Sequence, residues 1–253
     1  MKDKLSLVMM TKNSGALLEQ SLSSVKDLVD EIIIVDDYST DNTVKIAKKY
    51  NARIYYHHSN DLGKQRIFGA KKAKGDWLLF LDADEIVSEK LKKEIKKDIK
   101  MTKINGFYIP YQNHFLFRPI NYGGENYQMI RLVRKNKLLL KPALVHEEIL
   151  VKDKKVGYLK NKIYHYSYRS LIQMFKKFTD YAWREAKQKF HNSEKLTLKK
   201  LTLYPLHMFY ARFIEDKGYK DGIRRIPLDL GFAYMELMTY FFLLILKIRQ
   251  KFK

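Results

Sequence analysis

The sequence predicts an α/β protein built on a mainly parallel sheet, and three observations carry that prediction. Short apolar runs alternate with amphipathic stretches over the first 85 residues, the pattern of β-α-β units. The run from Glu31 to Val35 is almost continuous isoleucine and valine, as a strand covered on both faces requires. Three of the early apolar runs end in polar or acidic groups: Thr11-Lys12-Asn13, Asp36-Asp37 and Asp82-Ala83-Asp84-Glu85.

Leu5 to Met10 reads as the first strand. Leu18, Leu22, Val25 and Val29 follow at spacings of four, three and four, which places them on one face of a helix. After the second strand, Ser39, Thr40 and Asp41 supply a cap for a helix whose inner face uses Val44, Ala47 and Tyr50. Ala52 to His57 is a third strand, Leu62 to Ala73 a helix, and Trp77 to Leu81 a fourth strand, with Trp77 expected in the core. Beyond Asp84 the rhythm changes. Leu91, Ile95 and Ile99 mark an amphipathic helix; Gly106 to Tyr111, Tyr127 to Arg134 and Leu138 to Leu140 read as strands. Ser170 to Phe190 is a long helix with Leu171, Phe175, Phe178, Ala182 and Ala186 on its inner stripe. Polar residues from His191 to Lys200 suggest a boundary near 190–200.

Composition narrows the function classes. No cysteine occurs among the 253 residues, which removes disulfide frameworks, thiolate metal sites and cysteine nucleophiles together. The start of the chain lacks a cleavable leader pattern, so a cytoplasmic location is expected. Net charge is +21, but residues 1–85 hold 13 basic and 13 acidic side chains, so residues 86–253 carry all of the excess. Such asymmetry suits a polyanionic partner, with an anionic membrane surface favoured over nucleic acid because acidic strand ends have no use in a nucleic-acid groove.

The chemistry concentrates at the ends of strands. In an open parallel sheet, ligands bind outside the carboxyl ends, so acids placed there face a crevice. Asp82 and Asp84, one residue apart with a small alanine between, can reach one hard divalent cation and the diphosphate oxygens it neutralises. No Gly-x-Gly-x-x-Gly follows an early strand, which counts against a dinucleotide-dependent dehydrogenase. His146-Glu147 is followed by Leu150 where a zinc protease would place its second histidine, so that reading fails as well. Tyr108, Tyr111, Phe115 and Tyr122 are candidates for an aromatic acceptor surface.

The blocks Leu7 to Asn13, Val35 to Thr43 and Gly75 to Glu85 together resemble the consecutive motifs of family 2 glycosyltransferases, which have the GT-A fold. Met129 to Arg134, Val145-His146-Glu147, His165-Tyr166-Ser167 and the long helix after them extend the likeness toward the branch of lipopolysaccharide inner-core β-1,4-glucosyltransferases. The resemblance implies an α/β GT-A domain over residues 1–190, with a nucleotide-binding half (1–85) and an acceptor half (86–190), and a membrane-apposed helical extension over 191–253. It implies inverting transfer from a nucleotide sugar, with UDP as the expected nucleotide, to a lipid-linked or polysaccharide acceptor of the cell envelope. Thr11, Asn13 and Asp37 would contact the nucleotide, Asp37 near the base and Asp36 as a further candidate. Lys64 and Arg66 are donor-site candidates. Asp82 would face ribose or diphosphate, Asp84 would hold Mg²⁺ or Mn²⁺, and Asp82 and His165 are additional metal candidates; a hydrogen-bonded core histidine is the other reading of His165. Glu147 is the expected catalytic base, with Glu148 its substitute if the register shifts by one. The rival enzyme reading is a sugar-nucleotide nucleotidyltransferase, which would release pyrophosphate.

The apolar tail Leu230 to Leu246 is broken only by Glu236 and is short of the roughly 20 residues needed to span a bilayer. A helix lying in the membrane interface is therefore expected ahead of a span or a protein-packed helix, with Arg224, Arg225, Lys247, Arg249, Lys251 and Lys253 at lipid phosphates.

Overall fold

A computed structural model describes residues 3–59, 62–100, 103–141 and 148–251. The chain divides into two compact units, residues 1–112 with 127–165, and residues 113–126 with 166–253. The division differs from the boundary suggested near 190–200, because the long helix after Ser170 shares its core with the C-terminal helix rather than with the sheet of the first unit.

The first unit alternates strand and helix as the sequence demands: β1 (Leu5–Thr11), α1 (Gly15–Ser23), β2 (Glu31–Asp36), α2 (Thr43–Lys49), β3 (Arg53–Tyr56), α3 (Leu62–Lys72) and β4 (Trp77–Asp82). There follow β5 (Glu85–Val87), α4 (Glu89–Asp98), β6 (Gly106–Phe115), β7 (Arg118–Pro119), β8 (Gln128–Arg134), β9 (Leu138–Lys141), β10 (Glu148–Val151), β11 (Val156–Tyr158) and β12 (Ile163–Tyr168). The main sheet runs β3-β2-β1-β4-β8-β6-β12-β5, with β11 also pairing β6; β9 and β10 form a separate two-stranded ribbon. Strands β3, β2, β1 and β4 are mutually parallel, while β8 joins β4 antiparallel. Strands β6 and β12 continue past the first unit, and β7 pairs the far end of β6 in the second.

Burial follows the apolar runs. Ile32 to Val35 are buried, as are Leu78 to Leu81 and Trp77. Leu18, Leu22 and Val25 pack on one side of the sheet together with Leu91 and Ile95. In α2 the buried residues are Thr43, Ile46 and Ala47, and Tyr50 just past its end packs against the same core as expected, whereas Val44 is not part of it. Helix α3 covers the other side so closely that a Cβ on Gly69 would stand 2.7 Å from Val8 Cγ1 and 2.9 Å from Val35 Cγ2, which brings Arg66 in toward the strand ends.

The second unit is helical: α5 (Leu171–His191), capped by Ser170 Oγ accepting from Gln173 N, then α6 (Leu198–Tyr210) and α7 (Arg225–Lys251). The buried stripe of α5 is Met174, Phe178, Ala182 and Ala186, a clean spacing of four; Leu171 and Phe175 lie outside it and remain partly exposed. At Gly231 a Cβ would stand 2.7 Å from Met174 Cε, so α5 and α7 cross with glycine at the contact. Arg225 is buried here. Its Nε donates to both oxygens of Asp229 at 2.9 Å, and its Nη2 donates to Gly123 O at 2.8 Å and to Glu125 Oε1 at 3.4 Å. Arg225 therefore cannot serve at lipid phosphates; the sequence showed a cation beside an apolar run, and packing turned it inward.

Candidate active site

The ends of β1 and β2 are tied by a buried carboxylate. Thr11 Oγ1 donates to Asp36 Oδ2 at 2.7 Å, and the backbone N–H and hydroxyl of Ser39 donate to Asp36 at 2.8 and 2.6 Å. Asp36 is thereby filled by its own loop and shapes the site from beneath. Asp37, next along, is turned to the surface. Its Oδ2 meets Lys12 Nζ at 2.7 Å and its Oδ1 meets His58 Nδ1 at 2.6 Å. Burial raises its pKa, but the hydrogen bonds and charges of Lys12 and His58 together outweigh that and hold the carboxyl below its ordinary range. Asn13 is exposed, with φ of 47°, and braces the two loops: its N–H donates to Ser39 Oγ at 2.8 Å and its Oδ1 accepts from Thr40 N at 2.8 Å. Lys64 stands exposed near the start of α3.

At the end of β4 an arginine pair grips Asp82. Arg66 Nη2 donates to Oδ1 at 2.8 Å and Arg131 Nη2 to Oδ2 at 3.2 Å. Burial alone would raise the Asp82 pKa; the two guanidiniums bring it down to about 2. Arg131 also donates to Glu85 Oε1 at 3.1 Å and, through Nε, to the Tyr111 hydroxyl at 2.5 Å. Glu85 closes the turn by accepting from Asp82 N at 3.0 Å, and burial pushes its carboxyl pKa up against the opposing pull of Arg131. Asp82 keeps a 36% exposed side chain in spite of these bonds, so it presents a fixed anion to the crevice.

Asp84 and His165 come together through a long-range strand pairing. In the β5–β12 pair His165 lies opposite Glu85, and its Nε2 stands 3.5 Å from Asp84 Oδ1. The side chains are 16% and 26% exposed for His165 and Asp84. Asp82, Asp84 and His165 do not close into one ligand set: Asp82 is turned to the arginines, and no group of three His, Asp or Glu suited to a metal occurs among the described residues. Asp84 by itself still fits a hard cation, because such ions are commonly held by one or two carboxylates with phosphate oxygens and water completing the shell. Glu147 lies outside the described residues. Glu148 opens β10, exposed, and pairs in register with Lys141 of β9.

Glu85, Arg131 and Tyr111 are the site residues that sequence reasoning missed. Glu85 was visible as the fourth residue of the acidic block. Arg131 sits in a strand that was recognised, but nothing local indicates that it faces β4, and Tyr111 was expected on a surface. It is buried under the Tyr127 ring, 5.1 Å away between centroids, and Phe115 is fully buried too, so the proposed aromatic surface does not form from these residues.

Residues 6–146 match the family model described as glycosyl transferase family 2. The chain belongs to that family. Among its relatives, an uncharacterized glycosyltransferase of Rickettsia felis is 28% identical over 255 residues, covering 93% of this chain and 88% of the relative. Poly(ribitol-phosphate) β-N-acetylglucosaminyltransferase TarP of Staphylococcus aureus is 34% identical over 98 residues, covering 34% of this chain and 30% of TarP. The crystal structure of S. aureus TarS residues 1–349 shares the fold at a TM-score of 0.50 and 16% identity, covering 98% of this chain and 92% of that one. This glycosyltransferase thus has the GT-A architecture that the resemblance implies: a mixed α/β sheet with flanking helices and a C-terminal helix.

Proposed function

We propose that this family 2 glycosyltransferase moves a sugar, with inversion, from a UDP-sugar to a lipid-linked or polysaccharide acceptor of the cell envelope. The observation that carries the reading is the juxtaposition at the β4 end: Asp84 facing His165, beside an Asp82 locked by Arg66 and Arg131. In the parallel block the strand order is β3-β2-β1-β4, so the reversal of direction falls between β1 and β4, where ligands of open α/β sheets bind. Thr11 and Asp82 end those two strands.

The residues take distinct parts. Asp84, with His165, would hold Mg²⁺ or Mn²⁺, which when bound supplies positive charge to the departing diphosphate. Arg66 and Arg131 fix Asp82 in its ionised form and in one orientation, so the ribose and diphosphate meet a preorganised group. Asp37 offers a carboxylate toward the base. Glu147, or Glu148 in its place, takes the proton of the acceptor hydroxyl as it attacks the anomeric carbon opposite the leaving group.

Two features support an envelope acceptor. TarP, by its name, acts on poly(ribitol phosphate), an anionic polymer, and the excess of basic residues after position 85 suits an acceptor or surface of that charge. In addition, helices α6 and α7 each carry an exposed apolar stripe: Leu203, Leu206, Tyr210 and Ile214 on α6 with its following turn, and Leu230, Leu237, Phe241 and Ile248 on α7. Both recur at helical spacing, and Arg224, Lys247 and Arg249 stand nearby in the sequence. The segment Arg225–Gln250 is long and apolar enough to cross a bilayer by length and composition. Since α7 also packs against α5 and α6 along its other face, a helix hairpin lying on the inner surface of the cell membrane is the arrangement we favour. An acceptor of the lipopolysaccharide inner-core type fits this placement.

A thermal-shift panel of UDP-, GDP- and dTDP-sugars with and without Mn²⁺, followed by product analysis, tests the reading. Stabilisation by a UDP-sugar that grows with Mn²⁺, and release of UDP on transfer, is expected. Release of pyrophosphate would move the protein to the nucleotidyltransferases.

A further inference from the structure

The turn that joins β6 to β7 is built from residues a tight hairpin does not favour. Phe115 pairs with Arg118 across it, and the two residues between them, Leu116 and Phe117, sit at φ of 49° and 62°. A two-residue turn with both centres left-handed is ordinarily filled by asparagine and glycine, because a Cβ crowds the backbone there. Here two bulky apolar side chains occupy it. Both are exposed, Phe117 at 60%, so neither adds to the core. Their neighbours supply the anchor: Phe115 and Ile120 are buried in one cluster with Met174, Phe178 and Leu228. Leu116 N donates to Tyr168 O at 2.8 Å, which ties the turn to the end of β12. Bulky residues held in a costly backbone conformation and turned to solvent commonly serve a contact rather than the fold.

The apolar surface continues onto the start of α5. Three residues past Tyr168 the helix opens with Leu171 and Ile172, both exposed, Ile172 at 85%. Formal charge in the flanking chain has one sign. Residues 113–124 and 166–179 contain Arg118, Arg169, Lys176 and Lys177 and no aspartate or glutamate. Asp221, which accepts from the N–H groups of Asn121 and Tyr122 in the same loop, is buried and presents no charge at the surface. An aromatic and aliphatic tip flanked by cations is the chemistry of an interfacial anchor: the apolar side chains enter the boundary of the acyl chains, and Arg and Lys meet the phosphates of anionic lipids.

We propose that the Leu116-Phe117 turn, with Leu171 and Ile172, inserts into an anionic bilayer as an anchor separate from the apolar stripes of α6 and α7. It shares with the proposed function a membrane surface and depends on neither the donor nor the transfer chemistry. The chain has no cysteine, so Phe117→Cys carrying an environment-sensitive fluorophore reports from that one place in the full chain. Vesicles of phosphatidylcholine containing phosphatidylglycerol should shift its emission to the blue, and lipids spin-labelled near the head of the acyl chain should quench it; pure phosphatidylcholine should do neither. Leu206→Cys with the same fluorophore reports from the α6 stripe. A response at 206 with none at 117 would overturn the turn as an anchor and leave the α6–α7 placement standing, a response at 117 alone would do the reverse, and silence at both would overturn both. Unlabelled Phe117→Glu with Ile172→Glu should partition into the anionic vesicles several-fold less than wild type with Tm unchanged, since both side chains are exposed. Partitioning indistinguishable from wild type would also overturn the proposal.

Discussion

Each compact unit buries an arginine among carboxylates, and the two networks differ in one respect that separates a site from a scaffold. In the first unit Arg131 binds Asp82, Glu85 and Tyr111, and the chain of charges opens outward through a partly exposed Asp82. In the second, Arg225 and Arg212 bind Asp229 and Glu125, with Asn113 Nδ2 donating to Glu125 Oε2 at 2.9 Å, and both carboxylates are buried. A closed network holds the loop around Gly123 to α7 and keeps both its carboxylates out of reach. An open one spends its buried charge on orienting an anion at the surface. Burial of the arginine is the same in both; what distinguishes function is whether the carboxylate at the end of the chain can be reached.

That contrast can be broken in several ways, the largest first. Asp84→Ala and Glu147→Gln should each lower kcat by a factor of about 10²–10³ or more while far-UV circular dichroism and Tm stay near wild type; near-normal turnover in either sinks its assignment. Next come the arginines themselves. Arg225→Met leaves Asp229 buried without the guanidinium that holds both its oxygens and should cost about 3–5 kcal/mol of stability, read as a fall in the denaturant midpoint, with kcat/KM retained at low temperature. Arg131→Met should cost a similar amount and also reduce kcat/KM, since Asp82 loses one of its two anchors. Equal catalytic loss in both variants would erase the distinction between the networks.

A third test uses acid. The Asp82 pKa is depressed in the folded protein, so the stability it contributes is present above the unfolded carboxyl pKa near 3.8 and is lost as pH falls through about 2. In acid titrations the stability gap between wild type and Asp82→Asn should therefore be constant at neutral pH and narrow as pH falls below about 4; a gap that widens toward low pH contradicts the arginine anchoring. The smallest expected effect lies on the second unit's surface. Leu206→Glu with Tyr210→Glu should reduce co-sedimentation with anionic vesicles several-fold while leaving Tm and the hydrolysis or transfer of soluble substrates unaltered, since both side chains are exposed. Unchanged vesicle binding argues that the stripe faces something other than lipid.

The parallel half of the fold was legible because its signals are local. Apolar runs of five or six residues and acids at strand ends each declare themselves within a short window. Helix α5 was found with Phe178, Ala182 and Ala186 on its buried stripe, but the start of that stripe was misplaced, because Leu171, Met174 and Phe175 are all apolar and only the partner helix chooses among them. Asp37 was set ahead of Asp36 by the family resemblance and not by any local signal. The structure separates them by side, one buried under Thr11 and Ser39 and the other at the surface with Lys12 and His58.

What the sequence by itself determined is therefore the alternation of elements, the acids at the carboxyl ends and the family they announce, since each depends on residues close together in the chain. What only tertiary structure decided is which charges meet. His165 reaches Asp84 because β12 pairs with β5 across some 80 intervening positions, Arg131 reaches Asp82 across the β4–β8 pair, and Arg225 turns from the surface into a buried network. Long-range pairing sets these distances, and over distances of a few ångströms the energy of a charge depends on its partner and its burial more than on its neighbours in sequence.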